Sequence, residues 1–113
     1  MKKSIMFVSA SFSFALLLAL ASCSKTDTPL VAFTNAKTKA LFDAKCASCH
    51  ASGKSNASAW LYDAADYNGS IKGHIGHLYE QVYTLKKMPT TGALSTTELA
   101  DFKTWYDAGY PAN

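Results

Sequence analysis

Apolar positions along the chain form one N-terminal block, and then stretches of helical spacing separated by turn formers. Between Thr34 and Lys45, Ala36, Ala40, Leu41 and Ala44 fall toward one side of a helix, with Phe42 beside them. Ala51-Ser52-Gly53-Lys54-Ser55-Asn56 is a string of turn formers and predicts a loop. Trp60, Leu61 and Tyr62 then return apolar mass, and a short helix is expected there with a boundary near Asn68-Gly69. Ile71, Ile75, Leu78, Tyr79, Val82 and Leu85 make a stripe of helical period, which predicts a core-facing helix. Met88-Pro89-Thr90-Thr91-Gly92 breaks it. Ser95 followed by Glu98 has the spacing of a capping box, and behind it Leu99, Phe102, Trp105 and Tyr106 give an apolar face that Gly109 and Pro111 end. No repeat and no second domain is visible, so the expectation is one small all-α domain of three to four helices.

The N-terminal block has a different character. Lys2 and Lys3 precede an apolar run from Ile5 to Leu20, too short for a comfortable membrane span and interrupted only by small residues. It reads as a secretory signal peptide. Its end, Leu20-Ala21-Ser22-Cys23, resembles the bacterial lipobox, in which the chain is cut before a cysteine that carries diacylglycerol. On this reading residues 1–22 are removed, Cys23 is the lipidated N-terminus, residues 23–33 form a polar tether, and residues 34–113 form the folded domain. The lipid would hold the protein to a membrane of the cell envelope, facing the periplasm or the exterior, and Ser24 after the cysteine favours the outer membrane.

The candidate chemistry lies in Cys46-Ala47-Ser48-Cys49-His50. Two thiols three residues apart can capture the two vinyl groups of a haem, while the adjacent imidazole reaches the iron as proximal ligand. A thioredoxin-like redox pair would want a βαβ setting, and a zinc site a second pair of ligands; the chain offers neither pattern. For the opposite side of the iron, Met1 and Met6 leave with the signal, which makes Met88 the one methionine of the mature chain. It precedes a proline in a loop between two helices. A thioether is a soft neutral donor that favours ferrous iron and so raises the potential. His74 and His77 are the rival ligands. At 100° per residue, His74 falls about 60° from the centre of the apolar stripe and His77 about 120° from it, so His74 is expected nearer the core and His77 in water.

Cysteine usage and charge then narrow the picture. One cysteine is assigned to lipid and two to haem, leaving no thiol for a structural disulfide. Processing leaves 113 − 22 = 91 residues, a size at which a core alone is marginal, and a bound haem would complete it. The mature chain carries nine Lys against eight Asp and Glu and has no Arg, so there is no basic stripe for nucleic acid. Lys86-Lys87 is a solvated pair that could also meet an acidic partner. With no Arg, the haem propionates would fall to Trp60, a tyrosine or a lysine.

From about Thr34 to Pro111 the chain resembles a small class I c-type cytochrome, on Phe42 before the Cys46–His50 motif, Met88-Pro89, and Leu94-Ser95 with Glu98-Leu99 leading to Trp105. The ending Trp105-Tyr106-Asp107-Ala108-Gly109-Tyr110-Pro111 is similar to that of single-haem cytochrome lipoproteins of the Bacteroidota type. The resemblance implies a cytochrome c-like fold around one haem c, with Cys46 and Cys49 as thioether sites and His50 and Met88 as iron ligands. It also implies that Phe42 and Trp105 mark the crossing of the first and last helices, although Thr38 stands where larger relatives have glycine. The function implied is a monomeric, membrane-tethered one-electron carrier between a redox donor and acceptor, and not an enzyme. The alternatives are a haem sensor or peroxidase-like enzyme with an open distal site, and a haem module that docks a larger oxidoreductase.

Overall fold

The computed structural model describes residues 28–113. The signal, the lipobox and Cys23 lie outside the described residues. Among the described residues there is no strand, and no helix is long and apolar enough to cross a membrane.

Helix α1, Ala36–Lys45, starts where the Asn35 side chain accepts the Thr38 N–H at 3.2 Å. Thr38 and Phe42, four residues apart, form its buried face. The chain barely pauses at Cys46 before the single turn α2, Ala47–His50, because the His50 N–H reaches back to the Cys46 carbonyl at 3.0 Å. Cys46 and Cys49 therefore lie on one helical turn.

Trp60 to Tyr62 has no regular secondary structure and is not helical as its apolar content suggested. Its backbone is engaged elsewhere: the Tyr62 N–H donates to the His50 carbonyl at 2.8 Å, and the Leu61 carbonyl accepts from the Ser70 hydroxyl at 2.9 Å. The short helix comes later as α3, Tyr67–Ser70, capped by the Asp66 carboxylate on the Gly69 N–H.

The next helical run changes pitch along its length. A 3₁₀ turn, Lys72–His74, leads into α4, Ile75–Tyr79, and a π turn follows over Glu80–Thr84. Ile71, Leu78 and Val82 of the expected stripe are buried, whereas Leu85 is 44% exposed. The wide turn explains the departure. The Leu85 N–H bonds the Glu80 carbonyl five residues back, so the extra residue carries Leu85 off the stripe.

Helix α5, Thr96–Asp107, has the expected capping box: the Ser95 hydroxyl accepts the Glu98 N–H, and the Glu98 carboxylate accepts the Ser95 N–H. It ends in a Schellman motif, with the Gly109 N–H on the Tyr106 carbonyl, the Tyr110 N–H on the Trp105 carbonyl, and Gly109 at φ +88°. Phe102 and Trp105 are buried.

Phe42 holds α1 and α5 together, its ring 5.8 Å from that of Trp105 at a steep angle and 6.3 Å from that of Phe102. Phe33, at the end of the stretch read as tether, is 1% exposed and packs on Phe42, Tyr67 and Trp105. The domain's ends are bound to each other. Thr34 and Asn35 N–H groups both donate to the Ala112 carbonyl, the Trp105 indole donates to the Pro111 carbonyl, and the Tyr67 hydroxyl donates to the Tyr110 carbonyl.

Candidate functional site

At the far end of α1 from this clasp, a cavity of about 240 Å³ opens between the α1–α2 junction, the α4–π run and the segment from Met88 to Leu94. Leu41, Phe42, Leu78, Val82, Leu94 and Phe102 give it apolar walls. Cys46, Cys49, His50 and Met88 all line it. The α1–α2 turn supplies three of them. The fourth arrives because the helical run ends sharply: Lys86 takes a left-handed conformation (φ +52°), and the Lys87 and Met88 N–H groups both fold back onto the Gln81 carbonyl. Among the described residues no carboxylate lines the cavity; Lys45 does, and it pairs with Glu98.

His50 is held in one orientation. Its Nδ1 lies 3.0 Å from the Trp60 carbonyl and 3.2 Å from the Asn56 carbonyl. A carbonyl oxygen can only accept, so Nδ1 carries the hydrogen and Nε2 keeps its lone pair. This is the tautomer a metal-binding imidazole needs, with the second-sphere bond that fixes it. The Trp60 carbonyl is placed in turn by its own side chain. The indole N–H donates to the Ser70 carbonyl at 2.6 Å, while the Ser70 hydroxyl bridges the Asp63 N–H and the Leu61 carbonyl. The ring of Trp60 packs 5.0 Å from that of His50.

Sequence reasoning missed Ser70 and the supporting carbonyls. Backbone acceptors have no residue-type signature, and a serine that ties two loops looks like any other serine. The indole of Trp60, considered above for a propionate, is already committed to Ser70.

Both site cysteines carry unbridged thiols and are partly buried. Burial pushes the Cys46 thiol up to about 12, with the Asp43 carboxylate and Cys49 adding to the rise. Cys46 is thus a neutral thiol at ordinary pH, the opposite of the lowered thiol that a redox-active C-x-x-C pair uses. Asp43 itself is held below the usual carboxylate range by hydrogen bonds from Lys39 and then Tyr62.

The two rival histidines exchange places relative to the sequence estimate. His74 is exposed and does not line the cavity, because the 3₁₀ turn over Lys72–His74 breaks the uniform 100° step used to place it. His77 is exposed as expected, yet it stands on the cavity wall with Leu78 and Gln81. Among the described residues no three His, Cys, Asp or Glu side chains gather as an ion site, and one imidazole with one thioether would not form such a group.

No family model, curated protein or solved structure matches this chain.

Proposed function

We propose that the protein is a single-haem c-type cytochrome that carries one electron at a time between redox partners of the cell envelope, tethered there by lipid on Cys23. The observation that carries this reading is the convergence of Cys46, Cys49, His50 and Met88 on one apolar-walled cavity, with the lone pair of His50 Nε2 left for a metal. Haem c supplies a one-electron iron couple when bound. Cys46 and Cys49 would hold it through thioether bonds to its vinyl carbons. His50 would ligate the iron on one side and Met88 on the other.

The donor set fits the group. A neutral, partly buried Cys46 thiol would suit thioether attachment to a vinyl group, because it brings no unpaired charge into the cavity. The Trp60 and Asn56 carbonyls keep the imidazole aimed. Leu78, Val82, Leu94 and Phe102 exclude water, which favours the less charged state of the site. A methionine and a histidine together leave no open position for a substrate, so the reading is a carrier and not an enzyme.

The full chain, expressed in a host that attaches haem c, should keep its haem through acid–acetone extraction and on a denaturing gel. Cys46→Ala should retain one linkage, and Cys46→Ala with Cys49→Ala should lose covalent haem altogether. Haem that extracts completely from the unmodified protein would refute the assignment.

A further inference from the structure

We infer that His77 is a reserve iron ligand: the distal wall carries two donors, and the imidazole of His77 takes the position when the Met88 thioether is lost. The inference rests on the haem reading above and adds to it a residue whose place only the structure reveals. His77 and Met88 line the same cavity, on the two sides of the π turn that links α4 to the Met88 loop. Apart from His50, His77 is the one histidine on the cavity wall; His74 does not line it.

The environment of His77 differs from that of His50 in the way a reserve ligand requires. His50 is locked by two carbonyls, whereas the His77 side chain forms no hydrogen bond among the described residues and is exposed at the rim. Its rotamers are therefore unrestrained by a polar partner, and moving it breaks none. The segment behind it is the irregular part of the fold, 3₁₀ before α4 and π after it, where the helix ladder is already interrupted. Chemically, imidazole suits ferric iron better than a thioether does, while the thioether favours the ferrous state. Loss of Met88 as a donor, for example when a peroxide transfers one oxygen atom to its sulfur and is itself reduced to water or an alcohol, leaves a polar sulfoxide with an altered donor atom and would favour the imidazole. Two donors on one wall thus keep the iron closed to small ligands after damage to Met88.

The test uses the haem-loaded full chain. Met88→Leu removes the donor and keeps the volume, so the fold is retained. The ferric spectrum of this variant should lose the methionine band yet remain six-coordinate and low-spin. Adding His77→Ala should convert it to high-spin. Carbon monoxide should bind the ferrous double variant more tightly than Met88→Leu alone, by about tenfold if His77 leaves the position open about a tenth of the time. Adding His74→Ala instead should change nothing, and His77→Ala alone should leave the methionine band intact.

If Met88→Leu is high-spin and binds carbon monoxide as well as the double variant does, His77 is no ligand. A double variant that stays low-spin assigns the position to another donor and also overturns the inference. Either result leaves the haem reading standing, whereas a wild-type chain without covalent haem removes both.

Discussion

At the scale of single residues, the site depends on groups that hold its lining in place. Ser70 fixes the Trp60 loop, and the Trp60 carbonyl fixes the His50 ring through Nδ1, leaving Nε2 free of these bonds. Tyr62 acts similarly on the other flank, donating to Asp43 at 2.7 Å. Asp43 is held below its ordinary value, first by Lys39 and then by Tyr62, so its contribution to stability is present above the unfolded value of 3.8 and is lost as pH falls through the lower folded value. Tyr62→Phe should accordingly destabilise the folded chain at pH ~7 by up to about 1 kcal/mol, less whatever solvent screening removes at this exposed carboxylate. Urea titrations at neutral pH and at a pH well below 3.8 should show the charge-dependent part of that difference shrinking at the lower pH, as the folded carboxylate also begins to protonate. An equal difference at both pH values would mean that Tyr62 acts through packing alone.

At the scale of elements, helix ends and pitch changes matter more than helix length. Ser95 caps α5, and Ser95→Ala should cost about 1 kcal/mol, read as a lower thermal midpoint. The two helical glycine positions of contrasting geometry should respond with opposite sign. Gly109 closes the Schellman motif at φ +88°, so Gly109→Ala should destabilise by about 1 kcal/mol. Gly76 lies within α4, has no left-handed φ, and an added Cβ there meets nothing within 4 Å, so Gly76→Ala should stabilise by about 0.5–1 kcal/mol. A loss at Gly76 would show that α4 needs its flexibility. The stripe from Ile71 to Leu85 was legible in sequence, but the widening of the helix over Glu80–Thr84 was not. Pitch is set by whether the last carbonyls bond four or five residues on, and the fold back of Lys87 and Met88 onto Gln81 decides that.

At the scale of the whole molecule, the chain closes on itself at one end and opens a cavity at the other. The clasp of residues 110–113 on Thr34, Asn35, Tyr67 and Trp105 is built from hydrogen bonds between residues as far as 78 positions apart. Deleting residues 110–113 should cost about 4–7 kcal/mol, at roughly 0.5–1 kcal/mol for each of the seven bonds lost, while leaving Cys46, Cys49, His50 and Met88 on the cavity wall. The measurement is the thermal midpoint alongside the spectrum of the haem proposed above. A spectrum that changes with the deletion would mean that the clasp also positions the site. The cavity offers the complement: a group bound between Phe42, Leu78, Val82 and Phe102 would pack against their side chains and so stabilise the fold.

By itself the sequence determined the all-α class, the capping box of α5, the loop that carries Met88, and the choice of Cys46, Cys49, His50 and Met88 as residues of one site. Each is written in local information: the period of apolar side chains, a serine three residues before a glutamate, or two cysteines and a histidine on five positions. Only tertiary structure decided that Trp60–Tyr62 is not helical, that Phe33 belongs to the core, that Leu85 leaves the stripe, and that His77 and not His74 stands on the cavity wall. The physical reason is common to all four. Local preference at these positions is weak, and the outcome rests on hydrogen bonds and ring packing with residues distant in sequence, such as His50 with Tyr62 and Phe33 with Trp105.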